Sequence, residues 1–156
     1  VGEGPFPTEL HDANGELLRT RGAEFGTTTG RARRCGWLDA VILRYAARIN
    51  GLTDLAITKI DVLDSFETIQ ICVAYRYKGE LLYEFPDNLG ILEECVPEYI
   101  EMPGWQQDIS QIECYEDLPA ATRSYIAKIE ELSGVKQSLV AVGPKRTQTI
   151  VSDQLF

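Results

Sequence analysis

The sequence predicts an α/β fold with a mainly parallel core sheet, flanking helices and a β-hairpin excursion. Three observations carry that reading. Apolar positions recur at helical steps from Trp37 to Ile49 and again from Tyr125 to Leu132. Period-two alternation runs from Ile69 to Tyr77. Short apolar runs stand beside the helical segments, so that strands and helices alternate along the chain. With 156 residues and 44% hydrophobic content, the chain suffices for one ordinary domain with a single core, or for one portion of a larger domain.

Taken in order, residues 1–36 are rich in glycine, proline and threonine and read as loops, with only the LLRTRG run suggesting a strand. From Trp37 the positions Leu38, Val41, Ile42, Tyr45, Ala46 and Ile49 share one helix face, and Asn50-Gly51 stops the helix. Leu55, Ala56 and Ile57 form a short apolar run ending at Thr58, which predicts a buried strand. Ile69, Ile71, Val73, Tyr75 and Tyr77 alternate with polar neighbours, and Lys78-Gly79 separates them from Leu81 to Phe85, which predicts a half-exposed hairpin. Residues 86–115 read as mostly loop, with a strand around Tyr99 to Met102. Asp117 and Pro119 open a second helix, Tyr125, Ile126, Ile129 and Leu132 give its apolar stripe, and Gly134 closes it. A last strand, Ser138 to Val142, runs into Gly143-Pro144. No repeat, low-complexity tract or linker interrupts the chain.

The net charge is -9, and few basic residues lie outside one short stretch, which argues against a nucleic-acid partner. No window approaches the roughly eighteen apolar residues of a membrane span, so a soluble cytoplasmic protein is the expectation. Cys35, Cys72, Cys95 and Cys114 lack the paired spacing of zinc or redox motifs and read as reduced packing residues. The chain opens on Val1 with the turn-rich VGEGPFPTE, which reads as part of a longer sequence.

Against this acidic background, Arg19, Arg21, Arg31, Arg33 and Arg34 fall within sixteen positions, with Glu24 the only acid among them. A local cationic loop of this kind points to a small anionic ligand. Guanidinium forks match carboxylate and phosphate oxygens with two parallel hydrogen bonds, so Arg31 and Arg33 suit a ligand bearing one or two carboxylates. Thr27, Thr28 and Thr29 add hydroxyl donors, and Gly26 and Gly30 bracket them and let the main chain approach a ligand. Such a loop can close over a substrate. An arginine run beside a helix is more commonly a solvated face; the glycine bracketing and the isolation of the charge weigh against that here.

The second constellation, Thr58-Lys59-Ile60-Asp61, directly follows a short apolar strand. A carboxylate at Asp61 accepts from the N1 and N2 donors of guanine while the Lys59 stem lies along the ring; adenine offers no such donor pair. The junction Ala141-Val142-Gly143-Pro144 supplies backbone amides and a flat wall to the same base. Taken alone, Lys-x-Asp after a strand is more often an ordinary polar turn. No glycine loop ending in GK[ST] occurs, so a nucleotide site here holds only the base end. His11 reads as an exposed turn residue and not a catalyst, and Glu93-Glu94 and Glu130-Glu131 as solvated faces.

In this order, VGEGPFPTE, EFGTTTGRARRCGWLD, TKIDVLD, CVAYRY, MPGW and GPKRT closely resemble the C-terminal part of adenylosuccinate synthetase, over essentially all 156 residues. The first two blocks are highly specific; TKID and the GP loop gain meaning from their company. The resemblance implies that residues 1–156 are the C-terminal portion of a larger, P-loop-NTPase-like single domain, without its N-terminal catalytic and phosphate-loop portion. It implies a ligase that joins IMP and L-aspartate with GTP and Mg2+, GTP first phosphorylating the purine oxygen at position six and the aspartate amine then displacing the phosphate. Val1, Gly2 and Thr27, Thr28, Thr29, Gly30, Arg31, Ala32 and Arg33 align with the aspartate and IMP site, Arg31 also touching IMP. Arg33, Lys59, Ile60, Asp61, Ala141, Val142, Gly143 and Pro144 align with the GTP site. Relatives often carry serine where this chain has Ala141, which removes one hydroxyl from the guanine pocket. The catalytic aspartate, the catalytic histidine and the Mg2+ ligands are expected outside these residues, the whole enzyme as a homodimer, and this portion alone as inactive. A guanine-nucleotide-binding module without ligase chemistry is the alternative.

Overall fold

A computed structural model of the chain describes residues 3–151. In chain order its elements are α1 (Ala13–Arg21), β1 (Leu38–Asp39), α2 (Ala40–Asn50), β2 (Asp54–Ile57), a 3-10 turn (Ile60–Leu63), β3 (Thr68–Tyr77), β4 (Glu80–Leu82), α3 (Leu89–Glu94), β5 (Val96–Pro103), a second 3-10 turn (Tyr115–Asp117), α4 (Ala120–Ser133), β6 (Lys136–Ala141) and β7 (Thr149–Val151). The fold is α/β as expected, and the parallel pairings β1·β3 and β2·β6 are each extended by an antiparallel strand. The chain divides into two compact units: Val1–Ile42 with Gln70–Ile100, and Leu43–Ile69 with Glu101–Phe156.

In the first unit the chain begins with a helix where loop and strand were expected. Asp12 accepts hydrogen bonds from the Asn14 and Gly15 amides, both at 3.0 Å, Glu16 lies in the first turn, and Arg19 and Arg21 in the last. Capping and the helix dipole therefore set α1; only Gly15 and Leu18 are buried, so no apolar stripe announced it. The helix expected from Trp37 starts at Ala40, because Asp39 accepts from the Val41 and Ile42 amides at 3.0 and 3.2 Å and leaves Leu38–Asp39 to pair in parallel with Ile71 and Cys72. Trp37 and Val41 are buried as the stripe required, whereas Ile42 and Ile49 are exposed.

β3 and β4 form the expected hairpin, with Tyr75 opposite Leu82 and Tyr77 opposite Glu80. Lys78 and Gly79 both have positive φ, 48° and 91°, as a two-residue turn between twisted strands demands. β5 also pairs with β3. Flanked by strands, β3 is more buried than a half-exposed hairpin would be: Ile71, Cys72, Ala74 and Tyr75 are at 2% exposure or less. Val41, Cys72, Tyr75, Leu92 and Cys95 form the core, with Phe85 and Tyr99 packed at its edge. Residues 86–115, expected to be mostly loop, hold α3, capped by Asn88 through the Gly90 amide at 2.8 Å, and an eight-residue β5 that contains the anticipated Tyr99 to Met102.

In the second unit β2 lies parallel to β6, with Ile57 opposite Val140, and β7 completes the sheet, with Ala141 opposite Thr149. The strand read from the apolar run at 55–57 is present as β2; among the described residues it is an edge strand, exposed at Asp54 and Ala56 and half-buried at Leu55 and Ile57, less buried than expected. β7 was not anticipated. α4 matches its expected stripe and stop: Tyr125, Ile126 and Ile129 are buried, and Gly134 caps the helix at φ 72°. Ile60, Ile109, Leu118, Ile126, Val140 and Val142 are at the centre of the core.

One buried polar knot organises this unit. The Trp105 indole donates to Asp64 Oδ1 at 2.7 Å, and the Ile109 amide donates to Oδ2 at 3.3 Å. The Gly104 amide donates to the Glu67 carbonyl at 2.8 Å, an approach so close that a Cβ at Gly104 would stand 1.8 Å from the Phe66 oxygen. The MPGW and TKIDVLD blocks are thereby held to each other.

Candidate functional site

The arginine loop of the first unit is cross-bonded at its base. Arg33 N donates to the Glu24 carbonyl at 2.9 Å, Gly26 N to Arg31 O at 2.8 Å, and Gly30 N to Gly26 O at 2.8 Å, while Phe25 and Ala32 bridge in antiparallel register. Thr27, Thr28, Thr29 and Gly30 stand exposed at the tip, and Arg31, Ala32 and Arg33 are exposed on the returning arm. The Thr29 hydroxyl accepts from the Arg31 amide at 3.3 Å. A loop held this way presents its side chains at defined places.

The arginines divide into distinct environments. The Arg33 guanidinium donates to Glu24 Oε2 at 2.8 Å, and its carbonyl accepts from Arg19 Nε at 3.0 Å. Arg34 donates to Glu9 Oε2 from Nε at 2.7 Å and to the Gly4 carbonyl from Nη1 at 2.8 Å. Its guanidinium carbon lies 5.2 Å from the centre of the Phe6 ring. The hydrogen bond from Arg34 holds the Glu9 carboxyl below the usual carboxylate range. Among the described residues no carboxylate pairs with Arg31. A cavity of about 420 Å³ is lined by Phe6, Gly26, Thr29 and the run Arg31 to Arg34, so this arginine faces space that an anion of small-molecule size fits.

In the second unit the two strand ends meet at one edge. Because β2 and β6 are parallel neighbours, the residues after Ile57 and after Val140 leave the sheet on the same side, the place where open α/β sheets bind ligands. Lys59 takes a left-handed conformation, φ 60° and ψ 29°, which turns the chain into the 3-10 turn. Thr58 and Lys59 are exposed and Asp61 half-buried; Ile60 is 2% exposed, so its side chain belongs to the core and leaves only its backbone for contact with a ligand.

The second strand end differs from expectation at one point. Val142 was read as a source of backbone amides, but its N–H donates to the Gln148 carbonyl at 2.9 Å and its side chain is fully buried. Ala141 and Gly143 are half-buried and Pro144 exposed. Gln148, which no motif singled out, organises this turn. Its amide donates to Lys145 O at 2.9 Å, its Oε1 accepts from Lys145 N at 3.0 Å, and its Nε2 donates to Ser110 O at 2.9 Å. A Cβ at Gly143 would lie 2.5 Å from Gln148 Oε1, so the glycine is what lets the amide fit.

Val1 and Gly2 lie outside the described residues. His11 is exposed, 4.0 Å from Glu9. Glu94 sits 3.9 Å from Lys78, and Glu130, read as solvated, instead accepts from the Gln137 amide at 2.7 Å. Among the described residues no group of three or more His, Cys, Asp or Glu side chains is placed to hold a metal ion, and no helix is long and apolar enough to cross a membrane.

Comparison with known proteins gives the family. A family model described as adenylosuccinate synthetase matches residues 1–150. The adenylosuccinate synthetase of Syntrophomonas wolfei subsp. wolfei is 72% identical over 156 residues, a match that covers the whole of this chain and 37% of the relative. That of Geotalea daltonii is 58% identical, again over the whole chain and 36% of the relative. The solved structure of fully ligated adenylosuccinate synthetase from Plasmodium falciparum superposes with a TM-score of 0.92 at 41% identity, over 98% of this chain and 37% of that one. The chain thus spans little more than a third of the length of the relatives it matches.

Proposed function

Because the chain belongs to the adenylosuccinate synthetase family, we propose that residues 1–156 are the C-terminal portion of a GTP-dependent ligase that forms adenylosuccinate from IMP and L-aspartate. In that reading the loop Thr27 to Arg33 holds aspartate. Arg31 grips its carboxylates and reaches IMP, Arg33 serves aspartate and the GTP phosphates, and Val1 and Gly2 belong to the IMP site. Lys59, Ile60, Asp61 and the Ala141 to Pro144 turn form the guanine pocket, with Asp61 accepting from N1 and N2. Ala141 contributes only backbone there.

The reaction asks two things of these residues. The purine oxygen at position six becomes a leaving group on phosphorylation by GTP, and the aspartate amine must then be presented to that carbon; a loop that fixes both aspartate carboxylates orients the amine and removes the entropy cost of the encounter. Mg2+, the proton-transferring aspartate and histidine, and the phosphate loop come from the rest of the enzyme, a cytoplasmic homodimer. This portion binds and orients, and by itself turns nothing over.

The observation that carries the reading is Arg31: a guanidinium beside a cavity of about 420 Å³, with no carboxylate partner among the described residues. In the full-length enzyme, replacing Arg31 and Arg33 together by leucine is expected to lower kcat/KM for aspartate by about 100-fold or more, since each removes a charge-assisted contact, while guanine-nucleotide binding persists. Unchanged aspartate kinetics would refute the assignment of the loop. The convergence of the two strand ends in the second unit favours, as the alternative, a guanine-nucleotide-binding module without ligase chemistry. A module of that kind has no use for a dicarboxylate site, so the same double variant separates the two.

A further inference from the structure

Three arginines stand consecutively or nearly so at the cavity, yet their surroundings differ in kind. Arg31 has no carboxylate partner among the described residues, Arg33 has one, and each of the three nitrogens of Arg34 has a partner. Nε and Nη2 of Arg34 both address Glu9 Oε2, at 2.7 and 2.6 Å, Nη1 donates to Gly4 O at 2.8 Å, and the guanidinium plane is covered by Phe6 at 5.2 Å. With three of its five N–H donors committed and its charge already paired, the guanidinium is a weaker anchor for an incoming anion than that of Arg31. What it does offer is attachment: residues 4, 6 and 9, from the opening segment, are tied to the end of the arginine loop. The backbone reinforces the tie, with Leu10 N donating to Cys35 O at 2.9 Å and Glu9 bridging Gly36. Phe6, one of the groups so fixed, lines the same cavity as Arg31.

We infer that Arg34 is a positioning residue and not a ligand arginine: with Glu9 as counter-ion it clamps the Gly4–Glu9 segment to the loop, so that Phe6 forms a fixed part of the wall of the cavity where Arg31 takes the substrate carboxylate. The inference rests on the assignment of the loop to aspartate. It gives Glu9, an acid beside an anion site, a reason to be there, since the carboxylate never meets the ligand but neutralises the one arginine that must stay still.

The two roles predict opposite behaviour for Glu9. If Arg34 positions, Glu9→Gln loosens the clamp and raises the aspartate KM, as Arg34→Met does. If Arg34 binds the ligand, Glu9→Gln frees its fork and the aspartate KM stays or falls. The test is steady-state kinetics of the full-length enzyme carrying R34M, E9Q and the double variant, with thermal melting alongside and R31L as reference. The expected result is an aspartate KM raised about tenfold or more in R34M, because displacement of a site wall by about an ångström is costly. E9Q should raise it in the same direction, the double variant should be no worse than the worse single change, and the GTP KM should stay within about twofold. An aspartate KM that falls or stays level in E9Q, additive effects, or equal losses in the aspartate and GTP KM overturn the inference. So does failure of both single variants to fold, which would make the pair a folding element. If R31L leaves aspartate kinetics unchanged, the loop assignment has failed and not the clamp.

Discussion

Gln148 sets the shape of the turn that follows β6 more directly than any residue in the turn itself. Its side-chain amide accepts from Lys145 N and donates to Ser110 O, and the two bonds tie the chain just beyond the Gly143-Pro144 corner to the segment at Ser110. Neutral hydrogen bonds of this sort are worth about 1 kcal/mol each. Replacing Gln148 by leucine is therefore expected to raise the GTP KM of the full-length enzyme about three- to tenfold and to leave the aspartate KM alone; an unchanged GTP KM would show that the corner holds its shape without the amide. No sequence pattern points to Gln148: its bond to Lys145 is a local turn contact of an ordinary kind, and Ser110, 38 positions away, becomes a neighbour only in the fold. The arginine loop was legible as a residue type between glycines. The division of labour within it was not, since Arg33 and Arg34 are distinguished by Glu24 and Glu9, nine and twenty-five positions away.

At the scale of elements, those that bury a periodic stripe were readable and those that do not were missed. α4 presents Tyr125, Ile126 and Ile129 to the core and ends on a glycine, and the β3·β4 hairpin announces itself by alternation and by Lys78-Gly79. α1 is set by its Asp12 cap with one buried leucine, α3 is six residues long, and β7 three; none is long enough or apolar enough to show a period. The connection after β5 illustrates how a motif is explained by a contact. MPGW needs Gly104 because the chain passes against the Phe66 carbonyl, and needs Trp105 because its indole reaches buried Asp64 at 2.7 Å. Gly104→Ala is expected to destabilise the enzyme by about 1–3 kcal/mol through overpacking, measurable as a lower midpoint in chemical denaturation, whereas an unchanged midpoint would mean that the strand end yields without cost.

For the whole molecule, two cores arise from a chain that shows no composition shift or linker, because each unit is assembled from two separate stretches of sequence. Thiol chemistry reads the first core directly. Burial, with Asp39 adding to it, pushes the Cys72 thiol up to about 12, and burial raises that of Cys95, so neither forms thiolate near neutral pH. Alkylation of the native enzyme at pH 7.5, followed by peptide mass analysis, should leave both unmodified until denaturant is added; Cys114, exposed in the second unit, supplies the contrast. Modification of Cys72 in the native state at the rate seen for Cys114 would contradict the packing of β3.

The parallel pairing of β2 with β6 joins Asp54 to Lys136, 82 positions further along. A ribosome adding about 5–20 residues per second needs about 4–16 s to cover that distance. For that interval the nascent chain carries a strand whose partner has not been made, with Leu55 and Ile57 uncovered and a row of backbone donors and acceptors open to any other strand. The strand end that Thr58 to Asp61 follow thus gains its β6 neighbour only after that interval, and the period before β6 emerges is when this edge most invites mispairing.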